Sequence, residues 1–258
     1  MKKILFILGF VLLNSCIGSK NLHFTKLAEN EQLENAAKNE LDHSSWDAQL
    51  KKHVNAKGFV DYEGWKKDTD ELQAYLAYLN DNAPKKGWSQ AEQFAFYINL
   101  YNAATVNMIL ENGIPKSIKD IDGPFGQVWL KDAAYVNGKS ISLASLEKSI
   151  LQKMGDPRMH FAINCASFSC PKLQRDAYVA TKINNQMDNA AKEFVNSDKN
   201  DLANSAAPKI SEIFKFYPQD FKESGLSILE YVNQYANKKV DTNAPLEYVP
   251  YDWSLNKQ

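Results

Sequence analysis

Arginine is almost missing from this 258-residue chain: only Arg158 and Arg175 occur. No stripe of clustered Lys and Arg runs along any segment, so the sequence gives no footing for nucleic acid as a partner. Histidine is equally sparse. His23, His43, His53 and His160 are scattered, and no two stand four apart on a helix. That spacing argues against a metal centre, and no cofactor is implied. There is no phosphate-cradling glycine loop and no Gly-x-Ser-x-Gly turn, which removes nucleotide binding and the serine-hydrolase elbow from the first rank of readings. After residue 13 no further long apolar run appears, so no membrane-spanning helix is expected. Cysteine is limited to Cys16, Cys165 and Cys170.

The N-terminus has three parts. Lys2 and Lys3 are basic, Ile4 to Leu13 is apolar except for Gly9, and Leu13-Asn14-Ser15-Cys16 follows. A ten-residue run is about half the length a transmembrane helix needs, so it reads as a signal peptide over residues 1–15. Its last four residues resemble a lipobox, in which Cys16 is lipidated and becomes the new N-terminus. The expectation is a palmitate-bearing lipoprotein of the cell envelope, held at the outer membrane facing the periplasm. Without the signal the chain has 28 basic against 31 acidic side chains. Apolar residues at 44% and aromatics at 12% are enough for a real core.

Residues 16–44 are polar and read as a lipid-anchored tether running into an N-terminal helix. Helical spacing then covers Trp46 to Val54, and Leu72, Tyr75, Leu76 and Leu79. The clearest helix spans Gln90 to Glu111. Ser89 and Glu92 form a capping-box pattern at its start, and Asn112-Gly113 with Pro115 ends it. Its apolar residues occupy nearly every face, which predicts burial. Asn99 and Asn102 share one side of it and must be hydrogen-bonded if buried. A Gly/Pro loop at Asp122–Gly126 precedes a hairpin signal, Asn137-Gly138. Leu143 to Met154 reads as helix and Met159 to Cys165 as a strand. Residues 176–198 read as helix, Ile210 to Phe221 as short turns, Leu226 to Ala236 as helix and Leu246 to Trp253 as extended. The fold class expected is α+β, a helix-rich single domain with a small, mostly antiparallel β-sheet.

Several segments resemble the family called domain of unknown function 547. They are Phe96-Tyr97-Ile98-Asn99-Leu100-Tyr101-Asn102-Ala103, Leu143-Ala144-Ser145-Leu146-Glu147, Arg158 to Cys165, Ser169-Cys170-Pro171, Ile213 to Tyr217, and Tyr251 to Asn256. The resemblance spans residues 45–256 in order and implies no particular activity. A second likeness is to the papain and transglutaminase-like superfamily: a buried helix ends in Asn112-Gly113-Ile114-Pro115 and His160 follows. In that superfamily a cysteine opens the helix, and here none does.

The resemblance raises four residues as candidate catalytic groups: Cys165 as nucleophile, His160 as base, and Glu147 and Asn102 as polar partners. Thiol catalysis needs a thiolate prepared by an imidazole. On a strand, positions 160 and 165 would face opposite ways and lie about 16 Å apart. A direct pair therefore requires a bend near Asn164. His53 is a further partner for Cys165 by composition. Taken alone, Glu147 reads as a solvated acid, Asn102 as a structural amide, and Asp156-Pro157-Arg158 as a turn in which Arg158 pairs with an acid. Outside the cytoplasm a Cys165–Cys170 disulfide is the plain alternative to a reactive thiol. Two functions stay open: a cysteine-dependent acyl transferase or amide hydrolase, and a non-catalytic lipoprotein binding a peptide, glycan or protein in the same cleft.

Overall fold

The computed structural model describes residues 22–28, 31–121, 127–222 and 225–258. The signal segment, Cys16 and the Gly/Pro loop at 122–126 lie outside the described residues. The chain is helix-rich, with α1 at Ser44–His53, α2 at Tyr62–Trp65, α3 at Thr69–Asp81 and α4 at Gln90–Glu111. The hairpin β1 (Asp132–Val136) and β2 (Lys139–Ser142) follows. A π-helical stretch, Ser145–Leu151, runs into α5 at Gln152–Met154. Then come α6 (Met159–Ala162), α7 (Ile183–Val195), β3 (Lys209–Ser211), α8 (Ile213–Phe216), α9 (Pro218–Lys222), α10 (Ile228–Tyr235) and β4 (Glu247–Val249). The α+β class is as expected. Among the described residues the strands form two separate two-stranded ladders: β1 and β2 are antiparallel, and β3 and β4 are parallel.

Helix α4 organises the core. Every residue from Ala91 to Leu110 is buried. It packs against α3, β1, the π-helical stretch and α7. Ser89 accepts from the Glu92 amide and caps the helix. The reciprocal half of the expected box is not made. Instead the Glu92 carboxylate accepts the amides of Glu40 and Leu41, each at 3.0 Å. The hairpin turn holds Asn137 and Gly138 both at positive φ (52° and 73°), the geometry a tight turn between twisted strands requires.

Two expectations are corrected. The helix foreseen within residues 16–44 begins only at Ser44, and residues 31–43 are non-helical. They are also no loose tether. Leu27, Leu33 and Leu41 are buried in the main core, the Tyr97 hydroxyl donates to His23 O, and the Leu27 amide to Met154 O. This strap belongs to the packed body. Residues Met159 to Cys165 do not form a strand. Met159–Ala162 is a helical turn, with the Met159 and His160 amides donating to Asp156 O and Pro157 O. A short apolar run does not by itself distinguish a strand from a buried helical turn.

Buried side chains fall into two clusters. The larger surrounds α4, and the smaller gathers Phe161, Phe194, Phe214, Phe221 and Tyr231. Helix α6 straddles them, with Met159 and Ala162 in the first and Phe161 in the second.

Candidate functional site

A cleft of about 460 Å³ opens along the seam between the two clusters. The first cluster's side contributes Tyr101, Glu147 and Ile163, and the second's contributes Ile213, Phe216 and Tyr217. His160 borders it, and Cys165, Cys170 and Pro171 form one wall. Trp129, Tyr251 and Trp253 form an aromatic rim, with Trp253 4.5 Å from Tyr251 and 5.7 Å from Trp129 between ring centres. Of the four candidate catalytic residues, His160, Cys165 and Glu147 therefore meet at one cavity.

Glu147 is not the solvated acid its neighbours imply. It is only 6% exposed. The π-helical stretch carries it, and such wide turns are frequent at functional sites. One carboxylate oxygen accepts from the Tyr217 hydroxyl at 2.6 Å, and the other lies 3.4 Å from the Tyr101 hydroxyl. Burial, followed by the Glu147 charge, pushes both phenols well above the ordinary tyrosine range. Both stay protonated and act as donors to the carboxylate.

His160 places Nε2 2.6 Å from the Asp220 carboxylate, and its ring stacks on Tyr217 at 4.1 Å between centres. Nε2 is thereby engaged by Asp220, which fixes the orientation of the ring. The opposed faces foreseen for positions 160 and 165 do not occur. The chain leaves α6 at Ile163 and reverses at Ala166, a buried residue with φ of 64°. An alanine in the left-handed region stores backbone strain and needs support. Asn164 supplies it: its Oδ1 accepts the Ala166 amide and its Nδ2 donates to Pro171 O. Asn256 reinforces the reversal by donating its amide to Ala166 O.

Asn102 stands behind the cleft rather than in its wall. Its Nδ2 donates to Ala162 O and its Oδ1 accepts the Asn164 amide, so both ends are spent on the backbone that carries His160 and Cys165. Asn99 grips Tyr178 N and O in the same manner. His53 is remote from these groups: it stacks on Trp65, with Nε2 2.7 Å from Asp68. Arg158 pairs with Asp156 at 2.6 Å and Asp188 at 2.8 Å, as its turn implies.

Cys165 and Cys170 are joined by a disulfide. Cys165 is half-buried and Cys170 is only 6% exposed. No group of three or more His, Cys, Asp or Glu side chains able to hold a metal is present among the described residues. No helix among them is long and apolar enough to cross a membrane.

Asp220, Tyr217, Tyr251 and Asn164 were not singled out by sequence as site residues. Asp220 leaves no signal, because it lies sixty positions from His160 on a five-residue helix. Tyr251 and Trp253 sit in a segment that carries the family likeness, so their pattern was visible while their placement was not.

Fold and cleft together define a helix-rich α+β domain with an aromatic, disulfide-walled cavity. Residues 85–195 match the model of the family described as protein of unknown function, DUF547, and that stretch is a DUF547 region. The match covers α4, the hairpin, the π-helical stretch, α6, the disulfide loop and α7. It stops before α8, Tyr217 and residues 251–253, which complete the cleft. No curated protein and no solved structure gives a match.

Proposed function

We propose that this is a lipid-anchored protein of the cell envelope whose cleft binds a peptide or glycan bearing an apolar face and an amino or other hydrogen-bond-donating group. The observation that carries the reading is Glu147, a buried carboxylate facing a cavity whose lining includes the rings of Trp129, Phe216, Tyr251 and Trp253, with the basic groups of Lys148 and His160 also lining it. Apolar pockets with a few placed polar groups are the usual form of small-ligand sites. Two phenols leave acceptor capacity on the carboxylate, which an incoming donor or ammonium would use. Aromatic faces add attraction for a cation. Lipidation at Cys16 would hold Leu22 within about 20 Å of the bilayer, the span of six extended residues.

Binding is tested by titrating the protein with neutral and amino-bearing oligosaccharides and short peptides while following tryptophan fluorescence. Amino-bearing members are expected to bind, and Glu147→Gln to weaken them about tenfold or more, the loss of one charge-assisted hydrogen bond. Equal affinity in Glu147→Gln would remove the carboxylate from the account. Anchoring is tested by labelling cells with palmitate: the wild type incorporates label and Cys16→Ser does not.

One observation favours a second reading, thiol acyl transfer or amide hydrolysis in the reduced protein. Cys165 borders the same cleft as His160, whose ring Asp220 orients. This arrangement has the parts of a nucleophile, base and orienting acid. The disulfide blocks it as the molecule stands. A reduced sample that hydrolyses an activated ester or thioester, and loses this in Cys165→Ser, would support it. Equal rates in both would dismiss it.

A further inference from the structure

Donors gather around the sulfur of Cys170. The Cys165 amide donates to it at 3.1 Å, the Tyr251 hydroxyl at 3.1 Å and the Ser167 hydroxyl at 3.3 Å. The Ser167 and Tyr251 hydroxyls also lie 3.1 Å and 3.4 Å from Cys165 Sγ, and among the described residues only Cys170 Sγ has a backbone donor as well. A disulfide sulfur is neutral and a weak acceptor, so it gains little from such company. A thiolate gains much, as an oxyanion does from donors aimed at the place where charge develops. The two hydroxyls are also 2.8 Å apart. In the neutral state one can donate to the other, and both can turn their protons to sulfur once charge appears there. Burial pushes the Tyr251 phenol well above its ordinary range, so it keeps its proton.

The two sulfurs differ in access. Both cysteines line the cleft, but Cys165 is half-buried and Cys170 only 6% exposed. The loop between them is fixed by Asn164 at both ends and by the reversal at Ala166. Residue 170 also borders a second cavity of about 520 Å³, so this loop is a thin wall between two open spaces.

We propose that Cys165–Cys170 is an exchange-active disulfide that takes a thiol substrate from the cleft, with Cys165 the attacked sulfur and Cys170 the leaving thiolate. The proposal stands apart from the ligand-binding reading, because it rests on the donors around Cys170. The incoming thiol gives its proton to His160, which borders the same cleft. Its sulfur bonds to Cys165 Sγ, the Cys165–Cys170 bond breaks, and the electron pair leaves on Cys170. A second thiol gives its proton to the Cys170 thiolate and attacks the substrate sulfur of the mixed disulfide, releasing Cys165 as a thiolate that takes the proton held on His160. Net, two substrate thiols are oxidised to one disulfide and the protein's cystine is reduced to two thiols. A substrate disulfide drives the same steps backwards.

The test compares rates of reduction by glutathione in the folded protein and in the urea-unfolded chain at one pH, with free thiols trapped by alkylation and counted by mass. Unfolding removes both the donors and the burial, so the folded protein is expected to react at least tenfold faster. Tyr251→Phe with Ser167→Ala is expected to slow the folded rate about tenfold and leave the unfolded rate unchanged. A Cys170→Ser variant should form a mixed disulfide with oxidised glutathione at Cys165, while Cys165→Ser should leave Cys170 unmodified. Reduction slower in the folded state, or a double variant that reacts like wild type while retaining its circular dichroism, would overturn the proposal. A failed ligand titration would leave these rates untouched, so the two readings fail separately.

Discussion

His43 shows how one buried side chain sets a pH limit on the whole fold. Its Nδ1 meets the Tyr75 hydroxyl at 2.7 Å, and its Nε2 is buried without a hydrogen-bond partner. Burial lowers its pKa from an ordinary 6.5 to about 4, outweighing the opposing charge of nearby Asp42. The unfolded chain therefore binds a proton between these values while the folded chain does not. Stability is full above pH 6.5 and falls as pH drops towards 4, by about 2 kcal/mol between pH 7.5 and 5 from this residue alone. Urea unfolding at both pH values should show the loss in wild type and much less of it in His43→Gln. Asn102 is a second such residue. Asn102→Ala removes two buried bonds to Ala162 O and Asn164 N, and a cost of about 2–4 kcal/mol is expected in the same measurement. Neither role is written in the local sequence. An asparagine on a buried helix announces that its amide is bonded, but its partners sit about sixty positions away.

Among the elements, α4 was the most legible. Its cap, its end at Asn112-Gly113 and its burial all follow from residues within it. The hairpin was legible for the same reason, because Asn137-Gly138 dictates its own turn. The segments that build the cleft were not. Residues 159–162 are apolar and short, and only the preceding Asp156-Pro157-Arg158 turn commits them to a helical start. The polar strap at residues 31–43 looked like a linker, because its anchors are backbone amides seized by Glu92 and by distant helices. Glu92→Gln turns an amide group towards one of those donors. It is expected to destabilise the protein by roughly 1–3 kcal/mol and to speed proteolysis within residues 31–43. Unchanged cleavage would show that the buried leucines alone hold the strap.

In the molecule as a whole, the cleft lies on the seam where two clusters meet, and α6 belongs to both. Shared packing of this kind makes the clusters one cooperative unit. Trp46 and Trp65 lie in the larger cluster and Phe161, Phe194 and Phe214 in the smaller. Thermal unfolding followed by tryptophan fluorescence and by far-ultraviolet circular dichroism should therefore coincide. Separate transitions would mean that the seam opens before the fold is lost.

The chain folds back at residues 163–166 and brings Cys165 into the aromatic cleft that His160 and Glu147 also line. The most direct measurement attaches bimane to Cys165 in the Cys170→Ser variant and records its emission. Tryptophan and tyrosine quench bimane on contact, and Tyr251 lies 3.4 Å from Cys165 Sγ with the Trp253 ring tilted against it, 4.5 Å between centres. Strong quenching in the folded protein, relieved by unfolding and partly by Trp253→Phe, is the expected result. Emission as bright in the folded as in the unfolded state would contradict the account.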